Sequence, residues 1–198
     1  MSTDSLAVSL TLPVPCVSEQ AHGDVARAQV ADEALTELVA QLYQQHAKAI
    51  CVYIHSLVGE WATAHDLTQE AFLQLHRTRA RLPQVENQRA WLYGVASHVA
   101  LNALKRQRRF AWLPWHTAEN EAQLAMPDME QEVAGRAAVE RALATLSPEY
   151  RAPLLLYSSY GLSVREVAAA LALSEGAVKT RLHRARELFR QSYGEQKE

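Results

Sequence analysis

Residues 162–189 read LSVREVAAALALSEGAVKTRLHRARELF, and this stretch decides the fold of the second half of the chain. Ser163, with Glu166 three residues on, forms a capping box that predicts the start of a short helix. Ser174 predicts the start of a second helix. Only about three residues separate the two helices, which is the tight connection of a helix-turn-helix.

The second helix of this pair has two chemically different faces. At about 100° per residue, Val178, Leu182, Ala185 and Phe189 share one narrow apolar stripe. The opposite arc carries Gly176, Lys179, Thr180, His183, Arg184 and Glu187, flanked by Arg181 and Arg186. A helix in a DNA major groove needs such a face of donors for base edges, with arginines beside it for phosphates. The alternative is a solvated cationic helix face.

The composition describes a globular chain whose charges are unevenly distributed. Its 198 residues include 20 Lys and Arg against 22 Asp and Glu, and 48% are hydrophobic, which excludes disordered and fibrous proteins. Residues 101–109 carry a net charge of +4, residues 110–135 carry −5, and residues 163–190 carry +3. Two basic patches therefore flank one acidic segment, which favours a nucleic-acid partner despite the net charge of −2.

Helical periodicity dominates the rest of the chain. Apolar residues recur at three- and four-residue spacing from Ala34 to Gly59, and two further helices precede the basic patch. The scarcity of glycine and proline also favours helices. We therefore expect an all-α protein of two small helical domains joined by an acidic linker, divided into a flexible N-terminal extension (1–31), a first domain (32–110), the linker (111–135) and a second domain (136–192).

No pattern in the chain predicts catalysis, a metal or a cofactor. Cys51 and His55 are four residues apart on one helix, but two ligands do not make a metal site, so packing is the favoured role. No nucleophile with a base and no pair of carboxylates is evident, so we expect no enzyme. The chain also shows neither a signal peptide nor a membrane span, which predicts a cytoplasmic protein without membrane insertion.

The second half resembles region 4 of the sigma factors of the extracytoplasmic-function (ECF) group of the sigma-70 family. EGAVKTRLHRAR is similar to the recognition helix of that group, and LSVREVAAALALS to the helix before it, with Ala172 where a glycine is common. The resemblance implies that residues 136–192 read the minus-thirty-five promoter element. The residues implied to contact this DNA are Lys179, Thr180, Arg181, His183, Arg184 and Arg186.

The first half resembles region 2 of the same group. HDLTQEAFLQLHR is similar to the segment that binds core RNA polymerase, and RAWLYGVASHVALNALKRQRR to the segment that captures the minus-ten element. The implied polymerase-binding residues are Asp66, Gln69, Glu70 and Phe72. The implied minus-ten residues are Trp91, His98, Asn102, Lys105, Arg106, Arg108 and Arg109. Two departures are His98, where the group usually has asparagine, and Gly94, where it commonly has a basic residue.

Two of these side chains have a second interpretation from the sequence. Trp91 is either a core residue or part of a pocket for an unstacked base, and His98 is either a buried histidine or a base contact. The resemblance implies core RNA polymerase, promoter DNA and an anti-sigma factor as partners. The alternative function is a stand-alone helix-turn-helix regulator that acts without polymerase. An interaction module without DNA conflicts with both basic patches.

Overall fold

The computed structural model describes residues 19–110 and 130–195, and within these residues all regular structure is helical. In chain order the elements are α1 (Glu19–Val58), α2 (Trp61–Arg77), a short 3-10 helix (Arg79–Gln84), α3 (Gln88–Phe110), α4 (Glu130–Thr145), α5 (Pro148–Ser158), α6 (Val164–Leu171) and α7 (Glu175–Glu195). The all-α prediction is confirmed.

The first half packs α1, α2 and α3 around one apolar core. Ile50 and Ile54 of α1, Leu75 of α2 and Leu92 of α3 are each 0% exposed in this core. The 3-10 helix contributes Leu82, which is also fully buried. The core therefore fixes the relative orientation of the two helices, α2 and α3, that carry the predicted polymerase and minus-ten residues.

Helix α1 begins earlier than the sequence predicted. It starts at Glu19, so residues 19–31 are helical and do not form the irregular extension that we expected there. Residues 19–31 show no apolar period in the sequence, and Val30 is 66% exposed, so hydrophobic periodicity gives no helix signal here. Arg79 forms an ion pair with Asp32 that ties α1 to the 3-10 helix: Nη2 donates to the two carboxylate oxygens at 2.6 and 2.8 Å, and Nε donates to one of them at 3.0 Å. It also lowers the pKa of Asp32 through the hydrogen bond from Arg79.

The second half packs α4, α5 and α6 around α7. Pro148 occupies the first position of α5, where proline is favoured, and Ser147 is at the N-cap position in an extended conformation. Helix α4 begins at Glu130, so residues 130–135, which we assigned to the linker, are helical. The rest of the predicted linker, 111–129, lies outside the described residues.

The two halves are in direct contact. Helix α3 packs across α6, and α1 packs against α5. Gly94 allows the closest approach, since a Cβ atom there would lie 3.1 Å from the Cα and carbonyl oxygen of Ala170. Among the described helices, none has a stretch of the length and apolarity that crossing a bilayer requires.

Candidate nucleic-acid and polymerase interfaces

The turn between α6 and α7 positions the predicted recognition helix. The Ser163–Glu166 capping box is present, with each side chain bonded to the backbone of the other residue. Ala172 ends α6 in the left-handed conformation, at φ 53°. The Ser174 hydroxyl then accepts a hydrogen bond from the Ala177 amide at 3.2 Å, as predicted for the cap of α7. Both predicted caps are therefore confirmed.

Helix α7 has the two faces that the sequence predicted. Val178, Leu182 and Ala185 are at most 3% exposed and anchor the helix to its domain. On the other side, the side chains of His183 and Arg184 are 77% and 54% exposed. The buried side of α7 therefore fixes which polar groups point outward, because rotation of the helix would expose apolar area to water.

A groove of about 890 Å³ runs along this outer face. It is lined by Glu149, Tyr150, Ala177, Lys179, Thr180, Arg181, His183 and Arg184. The structure therefore gathers five of the six predicted minus-thirty-five residues at one surface. The sixth, Arg186, lies outside the groove lining, where its guanidinium carbon sits 5.3 Å from the centre of the Tyr157 ring.

Sequence reasoning missed the opposite wall of this groove. Glu149 and Tyr150 come from the first turn of α5, and they face α7 only because α5 packs against it. The Ser147-Pro148 signal predicts where α5 starts, but no sequence period shows which helix its first turn meets.

Glu187 of α7 contacts two basic side chains of the groove, His183 and Arg184. One carboxylate oxygen of Glu187 lies 3.3 Å from Nη1 of Arg184 and 3.7 Å from Nδ1 of His183. These contacts join residues three and four positions apart on the exposed helix surface. Glu187 therefore holds Arg184 in place while leaving its guanidinium accessible in the groove.

A second groove, of about 320 Å³, lies between α2 and α3. Its lining consists of Glu70, Gln74, His98, Val99, Asn102, Lys105, Arg106 and Arg109. It brings together five of the predicted minus-ten residues. Because His98 is exposed and lines this groove, the core interpretation of His98 does not hold. Arg108 is exposed beyond the groove lining.

Trp91 sits apart from this groove. It is half-buried and packs against the hydrophobic core of the first half. Of its two interpretations, the structure therefore favours a core residue, one that holds α3 against its neighbours.

The exposed face of α2 carries three of the four predicted polymerase-binding residues. Asp66, Gln69 and Glu70 are exposed there. Phe72 differs from the prediction, because it is only 6% exposed and meets the Tyr43 ring edge-on at 4.9 Å. Thr68, four residues before it, and Leu75, three residues after it, are buried as well, so Phe72 lies on the core side of α2 and not on the surface.

Leu73 is the residue that the sequence reasoning overlooked on this face. It is 58% exposed and continues the spacing of Asp66, Gln69 and Glu70 along the helix. An exposed leucine among acidic and amide side chains suits a protein contact, since an interface needs an apolar centre with a polar rim. The signal available in the sequence was its position seven residues after Asp66.

Cys51 and His55 have packing roles. The Cys51 sulfur lies 3.7 Å from Nδ1 of His65, and the His55 ring stacks on Trp61 with centroids 3.8 Å apart. Burial lowers the pKa of His55. In the part of the chain that the structure describes, no cluster of three or more potential metal ligands occurs.

Comparison with known proteins assigns both halves. The family profile described as Sigma-70 region 2 matches residues 42–110, and the profile described as Sigma-70, region 4 matches residues 136–189. The match to region 2 speaks against the stand-alone regulator, because it accounts for the half of the chain where such a regulator would carry its own sensor domain.

Relatives and solved structures agree with the two profiles. The chain is 31% identical to the ECF RNA polymerase sigma factor SigL of Mycobacterium tuberculosis, over 81% of this chain and 92% of SigL. It is 30% identical to the RNA polymerase sigma factor CarQ of Myxococcus xanthus, over 78% of this chain and 88% of CarQ. Its fold is similar to that of the sigma factor RpoE of Bartonella quintana, solved with the anti-sigma factor NepR, at a TM-score of 0.57, 22% identity and coverage of 77% and 94%. The chain belongs to the sigma-70 family, in its ECF group of RNA polymerase sigma factors.

Proposed function

We propose that this protein binds core RNA polymerase, directs it to promoters and assists strand opening. The observation that carries the proposal is the presence, in one chain, of two separate cation-lined grooves and an exposed polar face on α2. A regulator that only binds DNA has no need of the third surface. The chain binds and positions in this scheme, while the polymerase forms the bonds.

In the α7 groove, Lys179, Thr180, His183 and Arg184 read the base edges of the minus-thirty-five element. The exposed Arg184 guanidinium can donate two parallel hydrogen bonds to a guanine, which is the most frequent specific contact in the major groove. Arg181 and Arg186 flank this face and bind phosphates, which position the helix without reading sequence.

In the α2–α3 groove, His98 and Asn102 contact bases of the minus-ten element after the strands separate. Lys105, Arg106 and Arg109 line the same groove and neutralise the phosphates of the captured strand, with Arg108 beside them. The wall opposite these cations carries Glu70, so strand capture takes place directly beside the proposed polymerase contact.

Asp66, Gln69, Glu70 and Leu73 form the proposed polymerase-binding face. The same face is a suitable target for an anti-sigma factor, since a protein that covers it excludes the polymerase. NepR binds the sigma factor RpoE, and we propose an anti-sigma partner for this chain by that analogy.

A run-off transcription assay with purified core polymerase and a pool of genomic promoter fragments tests this function. We expect specific transcripts only when core polymerase and the protein are both present. The matched control is the Asp66→Ala, Gln69→Ala, Glu70→Ala variant, which keeps both DNA grooves except for one carboxylate. Specific DNA binding with no dependence of transcription on the protein would contradict the proposal.

A further inference from the structure

The outward arc of α7 carries an acid among the groups proposed to meet DNA. Glu187 lies three residues after Arg184, and its side chain is partly exposed. A carboxylate on a surface that faces DNA repels the phosphates, so it lowers the affinity for every sequence alike. Phosphate binding therefore does not explain an acid at this position, and the contacts of the Glu187 carboxylate point to a role in recognition.

One oxygen of the Glu187 carboxylate contacts both neighbouring basic side chains. Nη1 of Arg184 donates a hydrogen bond to Oε2 at 3.3 Å, and Nδ1 of His183 lies 3.7 Å from the same oxygen. The two basic residues precede Glu187 by three and four positions, which places all three on one side of the helix. The carboxylate is therefore held on the side of α7 that carries Arg184.

The backbone beneath this contact is fixed by burial. Leu182 and Ala185 are buried, and Leu188 packs against the same apolar core. The turns that carry Arg184 and Glu187 cannot move relative to their domain without exposing apolar area to water. A side-chain contact between these two residues therefore fixes the guanidinium relative to the whole domain.

The contact leaves one edge of the Arg184 guanidinium for DNA. A guanidinium has five N–H donors in a planar fork, and Glu187 accepts from Nη1. The Nε–Nη2 edge keeps two parallel donors, which match the N7 and O6 acceptors of a guanine in the major groove. Arg184 is exposed and lines the α7 groove, so a base pair can reach this edge.

An arginine without such a restraint binds DNA less selectively. Its long side chain samples many rotamers, and it can bind a phosphate of any sequence in place of a base. A side chain that is held in its binding geometry beforehand loses less conformational freedom when it contacts the base. The restraint therefore favours the base contact, whereas the charge of the same carboxylate weakens the phosphate contacts.

We propose that Glu187 is a positioning residue that makes promoter reading more selective, because it holds Arg184 with the Nε–Nη2 edge toward a single base pair. The inference rests on the proposed reading of the minus-thirty-five element by α7, which it deepens. Loss of the carboxylate then changes selectivity and non-specific affinity in opposite directions. A residue that only stabilised α7 would, when lost, lower specific and non-specific binding together.

Two alanine variants of α7 separate positioning from charge. Glu187→Ala removes the carboxylate and preserves the helix, because alanine is the best helix former. Glu175→Ala is the matched control. It removes the same charge from the same helix at an exposed position that precedes Arg184 by about 13.5 Å along the axis.

Duplex binding by the full-length proteins measures selectivity and affinity. The probes are a minus-thirty-five duplex that the parent selects from a random library, its single-position variants and an unrelated duplex. At the position where Arg184→Ala relaxes the preference, Glu187→Ala should lower discrimination about twofold to tenfold. Its affinity for the unrelated duplex should rise by up to about eightfold at 100 mM salt. Glu175→Ala should show only the rise.

Two results of these binding measurements would overturn the proposal. The first is unchanged discrimination in Glu187→Ala, or a parallel fall of its specific and non-specific affinity. The second comes from the double variant Arg184→Ala, Glu187→Ala, which should have the same base preference as Arg184→Ala alone. A preference lost at a further position would show that Glu187 contacts a base directly and does not act through Arg184.

Nuclear magnetic resonance measures the positioning without DNA. The order parameter of the Arg184 Nε–H bond reports the motion of this side chain on the picosecond to nanosecond timescale. We expect it to fall in Glu187→Ala and to keep the parent value in Glu175→Ala. Equal values in all three proteins would overturn the positioning role. If the parent selects no sequence, the proposed reading by α7 fails, while this measurement still decides whether Glu187 positions Arg184.

Discussion

Helices α3 and α7 both present cations to a groove, but they distribute them differently. In α7 the polar groups from Lys179 to Arg184 lie directly opposite the buried stripe of Val178, Leu182 and Ala185. In α3 the cations from Lys105 to Arg109 are concentrated in the last turns, beyond the residues that reach the core. A polar face along a helix whose other side is anchored in the core suits the reading of base edges in a rigid duplex. A cationic helix end suits the binding of the phosphates of a mobile single strand. The difference predicts that the two helices fail in different ways when their charges are removed.

The largest effect should come from the end of α3. When Lys105, Arg106, Arg108 and Arg109 are replaced by glutamine, the affinity for promoter DNA should fall less steeply with salt: the magnitude of the slope of log affinity against log salt should decrease by about 3. The affinity at 100 mM salt should fall by about 10²- to 10³-fold. The measurement is open-complex formation with core polymerase at several salt concentrations. An unchanged slope would contradict the assignment of these side chains to phosphates.

Arg184 and Arg186 of α7 should lose different functions. Arg184→Ala should cost about 1–3 kcal/mol and relax the preference at one position of the minus-thirty-five element, because Arg184 lines the groove. Arg186→Ala should weaken all sequences about equally, because Arg186 lies outside the groove beside Tyr157. Selection from a randomised promoter library with each variant measures both outcomes: the preferred sequence and the overall affinity. An identical consensus from the parent and Arg184→Ala would show that α7 enters the groove in a different rotation.

The exposed face of α2 carries acidic and amide side chains where α3 and α7 carry cations, so its loss should affect polymerase binding and not DNA binding. Joint replacement of Asp66, Gln69 and Glu70 by alanine should weaken binding to core polymerase about tenfold, as the loss of a few interface contacts does. The free energy of unfolding should stay within about 0.5 kcal/mol for each exposed position. Co-purification with core polymerase and a denaturant titration give both quantities. Phe72→Ala, by contrast, should destabilise the fold, since Phe72 is buried.

The smallest effect concerns the turns that orient α7. Ala172 adopts φ 53° without being glycine, while Gly161 adopts φ +67° with no atom close to where a Cβ would stand. Ala172→Gly should therefore raise the free energy of unfolding by about 0.5–1 kcal/mol, and Gly161→Ala should lower it by about 1 kcal/mol. Denaturant unfolding of both variants measures the pair. A loss of stability in Ala172→Gly would mean that the alanine methyl group contributes packing that outweighs the backbone strain.

Local patterns in the sequence were enough for much of this protein. The capping box at Ser163, the apolar stripe from Val178 and the cationic end of α3 each depend on residues a few positions apart, so a single helix suffices to predict them. The all-α class follows for the same reason. The early start of α1 at Glu19 escaped prediction because the sequence before Ala34 has no apolar period.

Only the tertiary structure decided which helices share a surface. Glu149 faces the α7 groove, and Glu70 faces Lys105 and Arg109, because α5 packs on α7 and α2 on α3. The burial of Phe72, the exposure of Leu73 and the exposed position of His98 likewise depend on where a neighbouring helix lies. Contacts such as Arg151 with Ser56 join residues far apart in the chain, and no period of 3.6 residues carries that information. The face of a helix is formed by residues a few positions apart, so the sequence predicts it. Which faces pack together depends on contacts between distant segments, so only the tertiary structure shows it.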